Sequence, residues 1–133
     1  MKIGLIQMQN KRVLVIDDDD GVREVIQICL EAVAGWEVLT ADSGKKGIAT
    51  AQAEHPDLIL LDVMMPYMDG TETFKKLQAN PKTKHIPTIF LTAKIKFSEK
   101  QQYLNLGVTG AIAKPFDPQS LVEQIQTLLN WTL

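Results

Sequence analysis

Five short apolar runs alternate with longer segments of helical periodicity, and this alternation limits the possible folds more than any other feature of the chain. Each run has three to six residues, rich in β-branched or leucine side chains, and Gly, Pro or Asp bounds it. Runs of this kind predict buried strands. They cover residues 13–16, 36–40, 58–61, 86–91 and 111–113. A helical segment follows each of them.

The helical segments carry start and stop signals. The first segment, 21–34, ends before Gly35, where a helix is expected to stop. The others are expected at about 43–54, 71–79, 98–107 and from 117 onward, with Ser98 and Gln101 as a capping box and Asp117 as an N-cap before Pro118. The apolar stripe predicted for the first helix consists of Val22, Val25, Ile26, Cys29, Leu30 and Val33.

Five strands that are each followed by a helix predict a parallel sheet with helices on both faces. Crossovers between parallel strands are almost always right-handed, which leaves few topologies. The expected fold class is therefore α/β: a doubly wound, five-stranded parallel sheet of order 2-1-3-4-5, in a flavodoxin-like (βα)5 three-layer sandwich.

Composition excludes several classes of function. A chain of 133 residues is the size of one domain, and its net charge of −2 does not favour direct binding to DNA. The single cysteine cannot form an internal disulfide or a thiolate metal site. No apolar run approaches the ~18 residues of a membrane span, and the first ten residues lack the features of a signal peptide. These observations predict a cytoplasmic protein without membrane contact.

Ionisable and polar residues stand directly after the strands that the predicted order places in the middle of the sheet. Asp17 and Asp18 follow the first run, and Asp62 follows the third. Thr92 follows the fourth run, and Lys114 follows the fifth. Ligands of open parallel sheets bind beyond the carboxyl ends of the strands, at the switch point of the topology. We therefore expect these five residues to form one site.

Three carboxylates in one crevice need compensation by positive charge. Two like charges about 4 Å apart repel by roughly 4 kcal/mol at an effective dielectric constant of about 20. A hard divalent cation with oxygen ligands would relieve this repulsion, and Mg²⁺ is the expected ion. Acidic ligands, a metal, Lys114 and the Thr92 hydroxyl are the groups that phosphoryl transfer uses. Asp62 is the candidate acceptor, because carboxylates form acyl phosphates.

Four motifs resemble those of the receiver domain of two-component response regulators. They occur in order, each at the end of a predicted strand, and the resemblance covers about nine-tenths of the chain. It divides the chain into an N-terminal extension, 1–11, and a receiver domain, 12–133. The motifs are VIDDD at 15–19, LLDVMMPYMDG at 60–70, LTA at 91–93 and AKPF at 113–116.

The resemblance implies a phosphoacceptor and its metal ligands. Asp62 would accept a phosphoryl group from the phosphohistidine of a sensor histidine kinase or a histidine phosphotransfer protein. Asp18, Asp62 and the backbone carbonyl of Met64 would bind Mg²⁺ directly, and Asp17 would act largely through water. Such a protein is not a classical enzyme: only phosphoryl acceptance and autodephosphorylation would be self-catalysed.

The resemblance also assigns roles to the last two motifs and shows one departure. Thr92 would donate a hydrogen bond to the phosphoryl group and Lys114 would pair with it, with Lys114–Pro115 as a cis peptide. Members of the family commonly carry Tyr or Phe in the fifth strand, where rotation of the ring reports phosphorylation. The matching residue here is Ala111, so the aromatic half of that relay is missing.

Two other functions stay open at this stage. A pseudo-receiver would be an interaction module without phosphorylation, although the complete set of acidic residues, Thr92 and Lys114 disfavours it. A phosphatase with an aspartyl intermediate would need a second acid two residues after its nucleophile, and Met64 stands there. With one domain, output is expected through an unidentified partner protein or by phosphorelay. The oligomeric state is open, and a phosphorylation-dependent dimer is one alternative.

Overall fold

One parallel sheet forms the centre of the molecule. The computed structural model describes residues 11–93 and 96–131. The strand order is β2-β1-β3-β4-β5, and every pair of neighbouring strands is parallel. This confirms the predicted doubly wound topology. The strands are β1 (Arg12–Ile16), β2 (Glu37–Ala41), β3 (Leu58–Asp62), β4 (Thr88–Thr92) and β5 (Gly110–Ala113).

Helices connect the strands and cover both faces of the sheet. They are α1 (Asp20–Cys29), which continues into a π-helical turn (Leu30–Ala34), α2 (Gly44–Glu54), α3 (Gly70–Ala79), α4 (Phe97–Leu106) and α5 (Pro118–Leu129). The predicted cap of α5 is confirmed, since the Gln119 N–H donates to the Asp117 carboxylate at 3.0 Å. None of the helices in the described ranges is long and apolar enough to cross a bilayer.

The start of α4 was predicted wrongly. The helix begins at Phe97, and its N-cap is Lys96, which provides no side-chain hydrogen bond. The Lys96 carbonyl accepts the Lys100 N–H at 2.9 Å, so the helical bonding pattern begins before Ser98. Ser98 therefore lies in the first turn instead of capping it. The end of the helix is confirmed, because Gly107 adopts a left-handed φ of 108°.

Within residues 11–93 and 96–131, the core consists of two apolar clusters, one on each face of the sheet. Successive side chains of a strand point to opposite faces, so Val13 and Val15 join one cluster while Leu14 and Ile16 join the other. The first cluster packs against α1 and α5, and the second packs against α2 and α3. Both faces of the central strands are buried, which explains their nearly continuous apolar sequences.

The apolar stripe of α1 is narrower than predicted. Ile26, Cys29 and Leu30 are buried, whereas Val25 is 44% exposed and Val33 is 55% exposed. Val33 lies in the π-helical turn, whose wider i→i+5 bonding rotates it away from the face that α-helical spacing predicts. Val25 lies at the margin of the buried face. Two members of the predicted stripe, Val25 and Val33, therefore lie outside the core.

Candidate functional site

Three carboxylates meet at the carboxyl edge of the sheet. Asp17, Asp18 and Asp62 each offer an oxygen atom, and these atoms lie within 4.8 Å of one another. Strands β1 and β3 are neighbours with Ile16 opposite Leu61, so the residues that follow them are brought together. Asp17 is fully buried and Asp62 is 4% exposed, whereas Asp18 is exposed. The predicted convergence of these three residues is confirmed.

Both the side chain and the backbone of Asp17 form hydrogen bonds. One carboxylate oxygen accepts the Asp19 N–H at 2.9 Å, and the other accepts the Lys114 ammonium at 2.6 Å. The Asp17 N–H donates to the Ala41 carbonyl at 3.1 Å. Its own carbonyl accepts the guanidinium of Arg23 at 2.6 Å. With both carboxylate oxygens engaged, Asp17 is a fixed negative charge beneath the site.

Lys114 joins two of the carboxylates. Its Nζ lies 2.6 Å from the Asp17 carboxylate and 3.3 Å from Asp62 Oδ1. Burial alone would lower the pKa of Lys114, but its hydrogen bonds and charge interactions with Asp17 and Asp62 outweigh burial and raise it. The lysine therefore stays protonated at neutral pH. The predicted cis peptide at Lys114–Pro115 is confirmed.

Asp62 is in an unfavourable environment for a carboxylate. Burial, and then the charge of Asp17, raise its pKa to about 6, against opposing contributions from Lys114 and from the Met64 N–H, which donates to Oδ1 at 3.2 Å. Burial disfavours the charged form, and the nearby like charge adds to that effect. The single positive charge of Lys114 does not balance three carboxylates, so a further cation at this position would be favourable.

The donor set fits a hard divalent cation. All three side chains offer carboxylate oxygen, the ligand type that Mg²⁺ prefers, and the exposed Asp18 leaves the cluster open to solvent on one side. Soft metals prefer thiolate ligands, and none is among these residues. Met64 lies two residues after Asp62 in the sequence. Metal binding by the backbone carbonyl of Met64 stays a prediction.

Thr92 completes the arrangement at the neighbouring strand. It ends β4, and Leu91 lies opposite Asp62 in the register, so Thr92 lies one residue beyond it at the same edge. Thr92 is 5% exposed, and its carbonyl accepts the Lys114 N–H at 2.8 Å. Four strand ends therefore supply the predicted site residues, and the structure brings all of them together.

Gly70 ends the loop that follows Asp62. The Gly70 N–H donates to the Val63 carbonyl at 2.9 Å. A β-carbon on Gly70 would lie 2.7 Å from Val63 Cα and would overlap the Asp62 carbonyl oxygen. The next helix starts at this point, because Asp69 caps it by accepting the Glu72 N–H at 2.9 Å. Only glycine allows α3 to begin directly against the strand that carries Asp62.

Arg23 is a site residue that sequence reasoning missed. Its guanidinium fixes the Asp17 carbonyl from the first turns of α1 and also forms an ion pair with Asp20. Lysines and arginines in a helical turn are common on protein surfaces, so its spacing alone carries no signal of this role. The sequence does indicate that Arg23 lies six residues after Asp17, on the helix that begins at the end of the aspartate run 17–20.

Ala111 leaves open space beside β5. It lies opposite Phe90 in the register and is partly buried. A cavity of about 420 Å³ adjoins it, with residues of α5, among them Gln124 and Leu128, as the other walls. The cavity therefore lies between β5 and α5, whereas Ala111 itself packs against the second cluster, where Phe90 lies.

Solved structures of response regulators share this fold. The chemotaxis response regulator CheY4 of Vibrio cholerae superposes with a TM-score of 0.83 at 34% sequence identity, over 90% of this chain and 98% of that one. The receiver domain of Francisella response regulator 1452 gives a TM-score of 0.81 at 30% identity, over 91% and 98% of the two chains.

Curated relatives are similar over almost the whole chain. The phosphate regulon transcriptional regulatory protein PhoB of Pseudomonas aeruginosa is 39% identical over 125 residues, which are 94% of this chain and 54% of PhoB. The probable transcriptional regulator ycf27 of Cyanophora paradoxa is 36% identical over 127 residues, 96% of this chain and 52% of that protein. The chain thus spans about half the length of these relatives.

The model of the response regulator receiver domain family matches residues 13–126 and includes every residue of the acidic site. Receiver domains bind Mg²⁺ in an acidic pocket, interact with histidine kinases and output domains, and are not classical enzymes. The chain therefore belongs to the family of response regulator receiver domains of two-component signalling.

Proposed function

We propose that Asp62 accepts a phosphoryl group from the phosphohistidine of a sensor histidine kinase or a histidine phosphotransfer protein, in a Mg²⁺-dependent reaction. The observation that carries this proposal is the cluster of three carboxylates within 4.8 Å, in which Asp62 Oδ1 lies 3.3 Å from the Lys114 ammonium. An acceptor carboxylate, ligands for a divalent cation and a fixed ammonium are the groups that phosphoryl transfer requires.

In this reaction a carboxylate oxygen of Asp62 bonds to phosphorus as the phosphorus–nitrogen bond of the donor breaks. The donor imidazole leaves with the bonding electron pair and then takes up a proton. Lys114, whose Nζ lies 3.3 Å from Asp62 Oδ1, would pair with a phosphoryl oxygen, and the Thr92 hydroxyl would donate a hydrogen bond to another. Magnesium, when bound, supplies positive charge that neutralises the phosphoryl oxygens. Water later hydrolyses the acyl phosphate and restores the carboxylate.

An apolar groove beside the site supports a protein donor. One stretch of about 580 Å³ begins at Lys114 and is lined by Val22, Val25 and Phe116. A second stretch of about 300 Å³ shares Val25 and continues along α1 past Ile28. The exposed valines of α1 are therefore walls of a surface that leads from the phosphoacceptor site along the helix. Surfaces of this kind accept the apolar face of a partner helix.

We propose that the phosphorylated domain acts in the cytoplasm through protein contacts. Phosphorylation would change the affinity for an output protein, or Asp62 would pass the phosphoryl group to a second phosphotransfer protein. The net charge of −2 supports output through protein contacts over direct binding to DNA by this domain.

Intact-mass measurement tests the proposed function. The protein is incubated with phosphoramidate, a small phosphorus–nitrogen donor, in Mg²⁺ or in EDTA. We expect an adduct of about 80 Da, the mass of one phosphoryl group, in Mg²⁺ only. Asp62→Asn should abolish it, whereas Asp42→Asn, which removes an exposed carboxylate elsewhere, should not. An adduct on the Asp62→Asn protein contradicts the proposal, and no adduct on the wild type favours the pseudo-receiver.

A further inference from the structure

Tyr67 has a backbone conformation that its residue type disfavours. Among the described residues, three that are not glycine have positive φ: His55 at 49°, Tyr67 at 67° and Asn130 at 60°. His55 and Asn130 are the C-caps of α2 and α5, where left-handed residues are common. Tyr67 is different, because it lies in the loop between β3 and α3. A β-carbon crowds the backbone in this conformation, and glycine avoids the strain.

The fold does not use the Tyr67 ring. The side chain is fully exposed, so it gains no packing that would offset its backbone strain. Its neighbours hold the loop in place: Met65 is 8% exposed, and the Met68 N–H donates to the Pro66 carbonyl at 2.8 Å. A strained residue whose side chain contributes nothing to the fold points to a role in function.

The loop places this ring near the phosphoacceptor. Tyr67 is three residues from Gly70, whose N–H donates to the carbonyl of Val63, the residue after Asp62, and three residues span at most about 11 Å. Asp62 is only 4% exposed, so a phosphohistidine must be brought down to it. The surface of the donor protein around that histidine then covers the exposed residues that surround the opening of the site and form its rim. Met64, on the same loop, is 73% exposed and belongs to this rim.

We propose that Tyr67 is a contact residue that selects the protein phosphodonor. Its ring packs against apolar side chains that surround the phosphohistidine of that protein. Aromatic residues are over-represented among the contacts that dominate protein interfaces. This inference rests on the proposed function, and it adds that a donor protein touches Tyr67 whereas a small donor such as phosphoramidate does not.

Two donors and three variants test the inference. The donors are phosphoramidate and an autophosphorylated histidine kinase core, chosen from a panel because it phosphorylates the wild-type chain. For Tyr67→Gly we expect the concentration that half-saturates the kinase to rise about tenfold, while the rate with phosphoramidate stays within about twofold of the wild type. Tyr67→Phe keeps the ring and should behave like the wild type. His55→Gly relieves the same kind of strain far from the site and should change neither reaction.

Each outcome bears on the inference. Equal half-saturation of the kinase by Tyr67→Gly and wild type would overturn it, and so would equal losses with both donors, since Tyr67 would then act on the site itself. Phosphorylation of the wild type by phosphoramidate but by no kinase in the panel would also overturn it. Failure of phosphoramidate with the wild type would instead refute the proposed function. Thermal midpoints of the two glycine variants at or above that of the wild type verify that both are folded.

Discussion

Asp62 combines burial with a neighbouring negative charge, and its ionisation opposes folding when no metal is bound. Its folded pKa of about 6 lies above the ordinary value of 3.8. Its contribution to stability is therefore fully present below about pH 3.8 and is lost as the pH rises through 6. Ionisation of Asp62 therefore lowers the free energy of unfolding, and a bound cation would remove this destabilisation.

The first prediction concerns this ionisation. In EDTA, Asp62→Asn should be more stable than the wild type at pH 7.5 by roughly 1–2 kcal/mol, because it removes a charge that the folded state disfavours. Between pH 4 and pH 6, the free energy of unfolding of the wild type should fall relative to that of the variant, because Asp62 ionises only in the wild type. Urea unfolding at a series of pH values measures both. Parallel pH profiles of the two proteins would contradict the assignment.

The second prediction concerns the ammonium that joins Asp17 and Asp62. Lys114→Gln leaves the buried Asp17 carboxylate without its cation and should lower the free energy of unfolding by about 2 kcal/mol at pH 7.5. Lys46→Gln is the matched control, because Lys46 pairs with Asp42 at 3.1 Å on the exposed surface. It should change stability by less than about 0.5 kcal/mol. Equal effects of the two substitutions in urea unfolding would contradict this account.

Residue types at strand ends were sufficient to predict the members of the site but not their contacts. Asp17, Asp62 and Lys114 were predictable because parallel strands end at one edge. The pairing of Lys114 with Asp17, at 2.6 Å, depends on side-chain positions 97 residues apart and has no local signal. The strain at Tyr67 was equally hidden, because a positive φ on tyrosine is not readable from its neighbours.

At the scale of elements, the start of α3 is fixed by close packing against β3. The third prediction is that Gly70→Ala lowers the free energy of unfolding by about 3 kcal/mol, because its β-carbon would meet backbone atoms that cannot move aside. Gly21→Ala is the control in the first turn of α1. There the β-carbon would lie 3.2 Å from a carboxylate oxygen of Asp19, a side chain that can shift by a few tenths of an ångström, and alanine is the better helix former. Gly21→Ala should be neutral or slightly stabilising.

Chemical denaturation of both variants measures this difference. Comparable stabilities of Gly70→Ala and Gly21→Ala would mean that the contact between α3 and β3 is looser than the structure shows.

Helix α4 is held less tightly than the other helices. It has no buried residue, and Phe97 is 79% exposed and Leu104 39% exposed. Helix α3, by comparison, buries Phe74 and Leu77. Elements with little buried apolar surface open at low free energy.

The fourth prediction follows from this difference. Backbone amides of α4 should exchange with deuterium at least about tenfold faster than those of α3, by hydrogen-exchange mass spectrometry. Equal protection of the two helices would contradict it.

Helix boundaries were predicted unevenly for a physical reason. The N-caps Asp19, Ser43 and Asp117 form side-chain hydrogen bonds to residues two or three positions later. Caps of this kind can be recognised from the local sequence. Helix α4 starts without such a bond, and the serine that resembled a cap lies inside the helix. Val33 is exposed because a π-helical turn changes the phase of α1, which a periodic pattern cannot reveal.

For the molecule as a whole, the site exists only when the sheet is complete. Its residues come from the ends of β1, β3, β4 and β5, and two apolar clusters hold those strands in register. The alternation of strands and helices was sufficient to predict this architecture, because the handedness of crossovers leaves few alternatives.

The position of the phosphoryl group tests the central claim most directly. The protein is treated with phosphoramidate in Mg²⁺ or EDTA and then with borohydride, which reduces an aspartyl phosphate to homoserine and releases phosphate. Peptide mass spectrometry then locates the homoserine. The account predicts homoserine at position 62 in the Mg²⁺ sample and unchanged Asp62 in the EDTA sample. Homoserine at Asp18 or Asp69, or equal conversion in both samples, would contradict it.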